Sequence, residues 1–381
     1  MKHFIYFFSF IFSYSTFSQT GDCEGRYLNE IFSDVNVETI TYSEPYNLSM
    51  DIYVPLGDEY TNRPLIIFAH GGSFVGGSKT NSLMIELCET FAKKGYVTAS
   101  INYRLATNAS VLGTDFSSFG GLTWMTNLNN GIKVIYSAFT DAKAAVRFFR
   151  KSALENNNPY GIDIDQIWMG GNSAGAVLAP HVAYVSSLDE FVNGIDISGQ
   201  DYAMSLAETN GGIEGNSGNS GYSSEIQGII NLAGAIHTVD WISEDELIPI
   251  VSCHGTEDET VPDECGTILN SPNNLTACGS IAMHPIIEEN GAINDLLVFE
   301  GAAHCPWATN NNDKQEMLAF ISQFIYNNTN CNQTVSLTEK QKSEKIITKV
   351  DVLGRSNQST QNGFVFSIYD NGFVSKKYVL K

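Results

Sequence analysis

The chain has 381 residues, 43% hydrophobic and 17% charged, with a formal net charge of −21 at pH 7. This is enough apolar material for one large core plus a small appendage. So acidic a balance, 21 Lys and Arg against 42 Asp and Glu, repels phosphate backbones and argues against nucleic acid as a partner.

The first residues have the order of a secretory signal peptide. Met1-Lys2-His3 is basic, Phe4 to Phe12 is apolar, and Ser13 to Ser18 is mostly small and polar. The apolar run is too short to span a bilayer. The expectation is a leader over residues 1–18, cleavage before Gln19, and a protein that is secreted or attached to the cell surface. No later segment is long and apolar enough for a transmembrane helix.

From about Val37, strand-like and helix-like stretches alternate. Leu65 to Ala69 is a continuous apolar run, as in a strand buried on both faces. Leu83 to Lys94 reads as a helix and Tyr96 to Asn102 as a strand. Asp141 to Leu154 is an amphipathic helix with Ala142, Ala145, Val146 and Phe149 on one face. Gln166 to Met169 is a short strand and Ala174 to Val185 a helix. Strands follow at Ile226–Leu232, Ile248–Cys253 and Asp295–Phe299, and a helix at Lys314–Tyr326 closes the series. The alternation predicts an α/β fold with a mostly parallel central sheet covered by helices on both faces.

Two stretches interrupt it. Ala106 to Tyr136 is rich in Asn, Gly, Ser and Thr, and Leu188 to Ser224 contains a glycine-rich run from Gly211 to Gly221. Both read as long loops inserted over the top of the sheet. The predicted domain occupies residues 19–326, with a polar linker at 327–345 and a β-like tail at 346–381. In the tail, Asp370-Asn371-Gly372 between two strand-like runs signals a hairpin.

Export permits disulfides among the seven cysteines. Cys265 and Cys278 bracket a loop-like segment and are the expected pair. Cys305 with Cys331 and Cys23 with Cys88 are further pairings open to the sequence. Cys253, in an apolar run, reads as a buried free thiol. No C-x-x-C pair or histidine cluster suggests a metal site.

The sharpest motif is Gly171-Asn172-Ser173-Ala174-Gly175, between a predicted strand and a predicted helix. A strand-to-helix turn this tight needs small neighbours and raises the serine hydroxyl above the sheet, which suits a nucleophile. Serine needs a base. Among seven histidines, His304 alone follows the last predicted strand, where this arrangement places the base. An acid should follow a strand between the two. Glu257, Asp258 and Glu259 all qualify, and the residues alone do not choose among them. The amide of Ala174 supplies one oxyanion donor. The second should come from His70-Gly71-Gly72-Ser73-Phe74, with Gly72 the first choice and Ser73 the second. His70 then holds the loop instead of acting as a base.

On these motifs, together with Asn102-Tyr103-Arg104-Leu105, His254-Gly255-Thr256-Glu257-Asp258 and Gly301-Ala302-Ala303-His304, residues 40–326 resemble the esterase and lipase branch of the α/β-hydrolases. That branch includes carboxylesterases and feruloyl and acetylxylan esterases. The resemblance implies an α/β-hydrolase fold, assigns the acid to Asp258, and requires no cofactor. Ser73 stands where many relatives carry a third glycine, and Ala303 where glycine is frequent. The tail, with Val350 to Arg355, Ile368 to Gly372 and a Lys-rich end, resembles a type IX secretion sorting domain and implies that machinery as a partner.

The sequence thus predicts an exported serine esterase acting through Ser173, His304 and Asp258 on small or polymer-linked esters, including acylated polysaccharide. A serine peptidase of prolyl-oligopeptidase type is one alternative, but no propeller repeat accompanies the motifs. A non-catalytic binding protein on the same fold is the other. Phe116, Phe119, Trp124 and Tyr136 are candidates to line a pocket or to pack within a lid.

Overall fold

The computed structural model describes residues 25–113, 122–245, 247–272 and 274–329, and the backbone of 346–350, 363–369 and 374–379. The leader, Cys23, Phe116, Phe119, Cys331, most of the linker and the Asp370-Asn371-Gly372 turn lie outside these residues.

In chain order, the main domain contains β1 (Val35–Ser43), β2 (Leu48–Pro55), β3 (Arg63–Ala69), α1 (Ser82–Lys93), β4 (Val97–Ile101), α2 (Leu128–Glu155), β5 (Ile162–Asn172) and α3 (Ala174–Tyr184). It continues with α4 (Leu188–Asn193), α5 (Ile197–Thr209), β6 (Gly228–Leu232), β7 (Ala235–Ile236), β8 (Ile250–Gly255), β9 (Cys265–Thr267), β10 (Thr276–Gly279), α6 (Ser280–Asn290), β11 (Asn294–Phe299) and α7 (Asn311–Asn327). The central sheet has the order β1-β2-β4-β3-β5-β6-β8-β11. The pairs β1–β2 and β2–β4 are antiparallel and the rest are parallel.

The continuous apolar run of β3 is buried on both faces, as its composition predicts. Leu65, Ile67 and Ala69 join one core cluster with Phe149 of α2 and Leu178 of α3. Ile66 and Phe68 join a second cluster with Phe91 of α1 and Ile321 of α7. One strand therefore fixes the distance between two helical layers.

Both predicted loop insertions contain helix. α2 begins at Leu128, 13 residues before the amphipathic pattern was read, because the Asn127 side chain accepts a hydrogen bond from the Asn130 amide and caps it. The second insertion carries α4 and α5, and its glycine-rich run is tied to α2. Glu214 pairs with Lys143 and Arg147. Ser217 and Arg104 both bind the buried carboxylate of Asp141. Arg104 also donates from its backbone amide to Asp141, so the segment after β4 is held to the middle of α2. β5 is likewise longer than the Gln166–Met169 core read from sequence.

Cys265 and Cys278 form the expected disulfide, across paired residues of β9 and β10. The pairings of Cys88 and Cys305 do not form: both are buried free thiols, as is Cys253. Cys88 faces the core between α1 and the sheet.

Contacts divide the chain into residues 1–332 and 333–381. The second unit is an antiparallel sheet of β12 (Ile346–Val350), β13 (Gly363–Tyr369) and β14 (Val374–Val379), in that order. Ile368 opposes Val374, so β13 and β14 pair as the hairpin signal requires.

Truncating Asp141 would leave the Arg104 guanidinium buried without its carboxylate. Asp141→Ala is expected to lower stability by about 3–5 kcal/mol, the usual cost of breaking a buried pair from one side. Urea denaturation of the two proteins measures it.

Candidate active site

Ser173 sits between β5 and α3 with φ 55° and ψ −123°, in the left-handed half of backbone space. The two motif glycines explain how it can. A Cβ on Gly171 would stand 2.5 Å from the Ala69 carbonyl oxygen, and one on Gly175 would stand 2.0 Å from it. Only glycine lets β3, the turn and α3 come this close. The Ser173 amide donates to the Leu232 carbonyl at 2.8 Å and pins the turn to β6.

The acid and the base are brought together by register. β8 and β11 are parallel neighbours with Gly255 opposite Phe299, so the loops that follow them emerge side by side. Three bonds join these loops: the Thr256 amide to the Phe299 carbonyl, the Glu257 amide to the Ala302 carbonyl, and the Gly301 amide to Thr256 Oγ1. Trp307, just beyond the base, is fully buried and donates from Nε1 to Asn172 Oδ1, which ties the base loop to the residue before Ser173.

The three expected side chains meet. Ser173 Oγ lies 2.8 Å from His304 Nε2 and donates to it. His304 Nδ1 donates to Asp258 Oδ2 at 2.6 Å. Asp258 Oδ1 accepts from the Thr260 and Val261 amides at 2.8 and 2.9 Å. Of the three adjacent carboxylates, Glu257 and Glu259 are exposed and only Asp258 is buried. Burial by itself would raise the Asp258 carboxyl. Hydrogen bonds from His254 and His304 outweigh it and hold the group well below the usual carboxylate range.

The remaining described histidines have partners of their own. His70 donates to the Gly71 carbonyl and stacks on Tyr103, so it braces its loop as expected. His181 donates to the Val177 carbonyl one turn back along α3. His254 is the contact that the sequence reading missed: its Nε2 lies 3.3 Å from Asp258 Oδ2, the oxygen that also meets His304. Its signal was present, four residues before the acid at the end of a strand, but the strand end had to be placed first.

Beside Ser173 opens a largely apolar cavity. Ser73 and Ala174 line it next to the nucleophile. Gly72, the first choice for the second oxyanion donor, does not line it. Its φ is 128°, and its carbonyl accepts from Val75 and Gly76 as the turn folds back. Trp124, Phe191, Trp241 and Val261 form part of an apolar wall, closed at one side by His181 and His237. Burial lowers both histidines, His181 to about 4, so His181 is uncharged at neutral pH. Tyr136 packs elsewhere, its ring on Phe139 and its hydroxyl donating to the Gly212 carbonyl. Phe191 and Ile195 come from the second insertion, which therefore contributes to the pocket.

Comparison with known proteins agrees with this layout. The BD-FAE family model matches residues 50–113. Esterase 2 of the planctomycete Thermogutta terrifontis is similar in structure. Its native form aligns at 21% identity and a TM-score of 0.51 over 79% of this chain and 94% of that one. Its propionate-bound form aligns at 20% identity and 0.51, over 76% and 93%. The form phosphorylated by paraoxon gives the same values. The chain has the α/β-hydrolase fold.

The lowered Asp258 carboxyl makes a pH prediction. A group whose proton affinity falls on folding stabilises the fold above its unfolded pKa, about 3.9 for Asp, and that contribution is lost as pH falls further. The difference in thermal stability between wild type and Asp258→Asn is expected to shrink as pH falls below about 4. Melting curves at several pH values check this.

Proposed function

We propose that this protein is an exported serine esterase that hydrolyses carboxylic esters by two-step acyl transfer. The observation that carries the reading is the continuous bond from Ser173 through His304 to Asp258 at the mouth of an apolar cavity. His304 takes the Ser173 proton as Oγ attacks the ester carbonyl, and Asp258 stabilises the imidazolium. His304 then gives that proton to the departing alcohol. Water repeats the sequence on the acyl-enzyme and releases the acid. The amide of Ala174 and one from the Gly72–Ser73 turn face the oxyanion, with Ser73 favoured by its place in the cavity wall. The name and ligands of the Thermogutta esterase support the same chemistry: a carboxylate bound in one form and modification by an organophosphate in another.

The wall also limits the substrate. An apolar cavity with an uncharged His181 desolvates whatever enters it, which disfavours a charged acyl group. The reading extends to action outside the cell on neutral esters, including those of acylated polysaccharide.

Ser173→Ala is expected to lower kcat on p-nitrophenyl acetate by about 10⁴- to 10⁶-fold. Turnover equal to wild type contradicts the assignment. Wild type is also expected to prefer p-nitrophenyl butyrate over the p-nitrophenyl monoester of succinate by at least about tenfold in kcat/KM. Equal rates contradict the reading of the pocket.

A further inference from the structure

Asp258 is held by two histidines. His254 is fully buried near the end of β8, with Nε2 3.3 Å from Asp258 Oδ2 and 3.2 Å from the Val261 carbonyl. A carbonyl and a carboxylate only accept hydrogen bonds, so Nε2 carries the proton. On the other side of the ring, Nδ1 is 2.9 Å from Ser280 Oγ at the start of α6.

A buried chain continues from that ring. Asn231 Nδ2, on β6, donates to Ser280 Oγ at 3.1 Å and to Ser252 Oγ at 3.2 Å. Each hydroxyl then has its own proton to give. Ser280 gives it to His254 Nδ1. Ser252 gives it to His284 Nε2 at 2.8 Å, and His284 Nδ1 donates to Asn294 Oδ1 at 2.9 Å. With these directions His254 is neutral, its one proton on Nε2 and Nδ1 accepting from Ser280.

We propose that His254 is a positioning residue for the acid: its Nε2–H, set by the Asn231–Ser280 chain, holds Asp258 Oδ2 against His304 without neutralising it. This rests on the triad reading above. Asp258 then has donors from Thr260, Val261 and His304, and the His254 Nε2–H, shared with the Val261 carbonyl, adds a fourth contact at Oδ2. A doubly protonated His254 would cancel the charge that must face the imidazolium of His304. Without any donor from His254, Oδ2 would lean on His304 alone and bind its proton more strongly. The other titratable groups near the pair are the exposed Glu257 and Glu259, His284 at the far end of the chain, and two thiols. Burial, and then the charge of Asp258, keeps Cys305 protonated, and burial does the same for Cys253 on β8.

Two polar variants separate positioning from packing. The amide of His254→Gln reaches Asp258. That of His254→Asn reaches only toward Ser280. On p-nitrophenyl acetate, His254→Asn is expected to lower kcat about 10- to 100-fold with KM little changed, and to move the acid limb of the kcat/KM profile to higher pH. His254→Gln should recover both. Equal effects of the two variants, or an unmoved acid limb in His254→Asn, overturn the proposal. A second measurement needs no variant and no substrate. Nitrogen-15 NMR of histidine-labelled wild type at neutral pH should show His254 protonated at Nε2 only. Protonation at Nδ1, alone or with Nε2, overturns the proposal whatever the fate of the variants. Turnover by Ser173→Ala equal to wild type would instead remove the triad reading, and the NMR result would stand apart from it.

Discussion

The closeness of β5, α3 and β3 at the Ala69 carbonyl constrains everything around the site. Two glycines accept that contact, and the residue between them takes up the turn. Ser173 is left in a backbone state that costs roughly 1–3 kcal/mol for a residue with a side chain. The bond from its amide to Leu232 and the packing of α3 hold it there. The same turn raises Oγ to the cavity, places the Ala174 amide beside it, and brings Asn172 within reach of Trp307. Relaxing the turn would therefore move Ser173, the Ala174 amide and the anchor of the His304 loop together.

The other half of the site depends on parallel pairing. β8 and β11 end level with one another, and the loops beyond them are joined by backbone bonds before any side chain is considered. Asp258 and His304 inherit their proximity from that register. Polar groups buried behind the acid are nearly all paired, and their donors run outward from Asn231 to the two histidines. In a water-poor interior the members of such a chain strengthen and orient one another. The site is held rigid from behind and opens toward the cavity.

How much of this the sequence disclosed depended on how local the signal was. The apolar run of β3, the glycine–serine turn and the position of His304 after the last strand were readable because each is set by near neighbours. The residues narrowed the acid to three carboxylates, and family resemblance singled out Asp258; burial distinguishes it in the structure. The helices inside the two insertions were missed. Asn127 caps α2 ahead of any strong apolar period, and the glycine-rich run is ordered by ion pairs to a helix more than 60 residues away. The contact between His254 and Asp258, and the cavity wall drawn from distant segments, are tertiary facts.

Reaction of the intact protein with a fluorophosphonate probe, followed by mass spectrometry of the labelled peptide, tests the central claim most directly. An activated serine attacks phosphorus, whereas an ordinary surface serine does not. The account predicts one adduct, on Ser173, lost in His304→Ala. No adduct, or an adduct on Ser173 that forms as fast without His304, would contradict it.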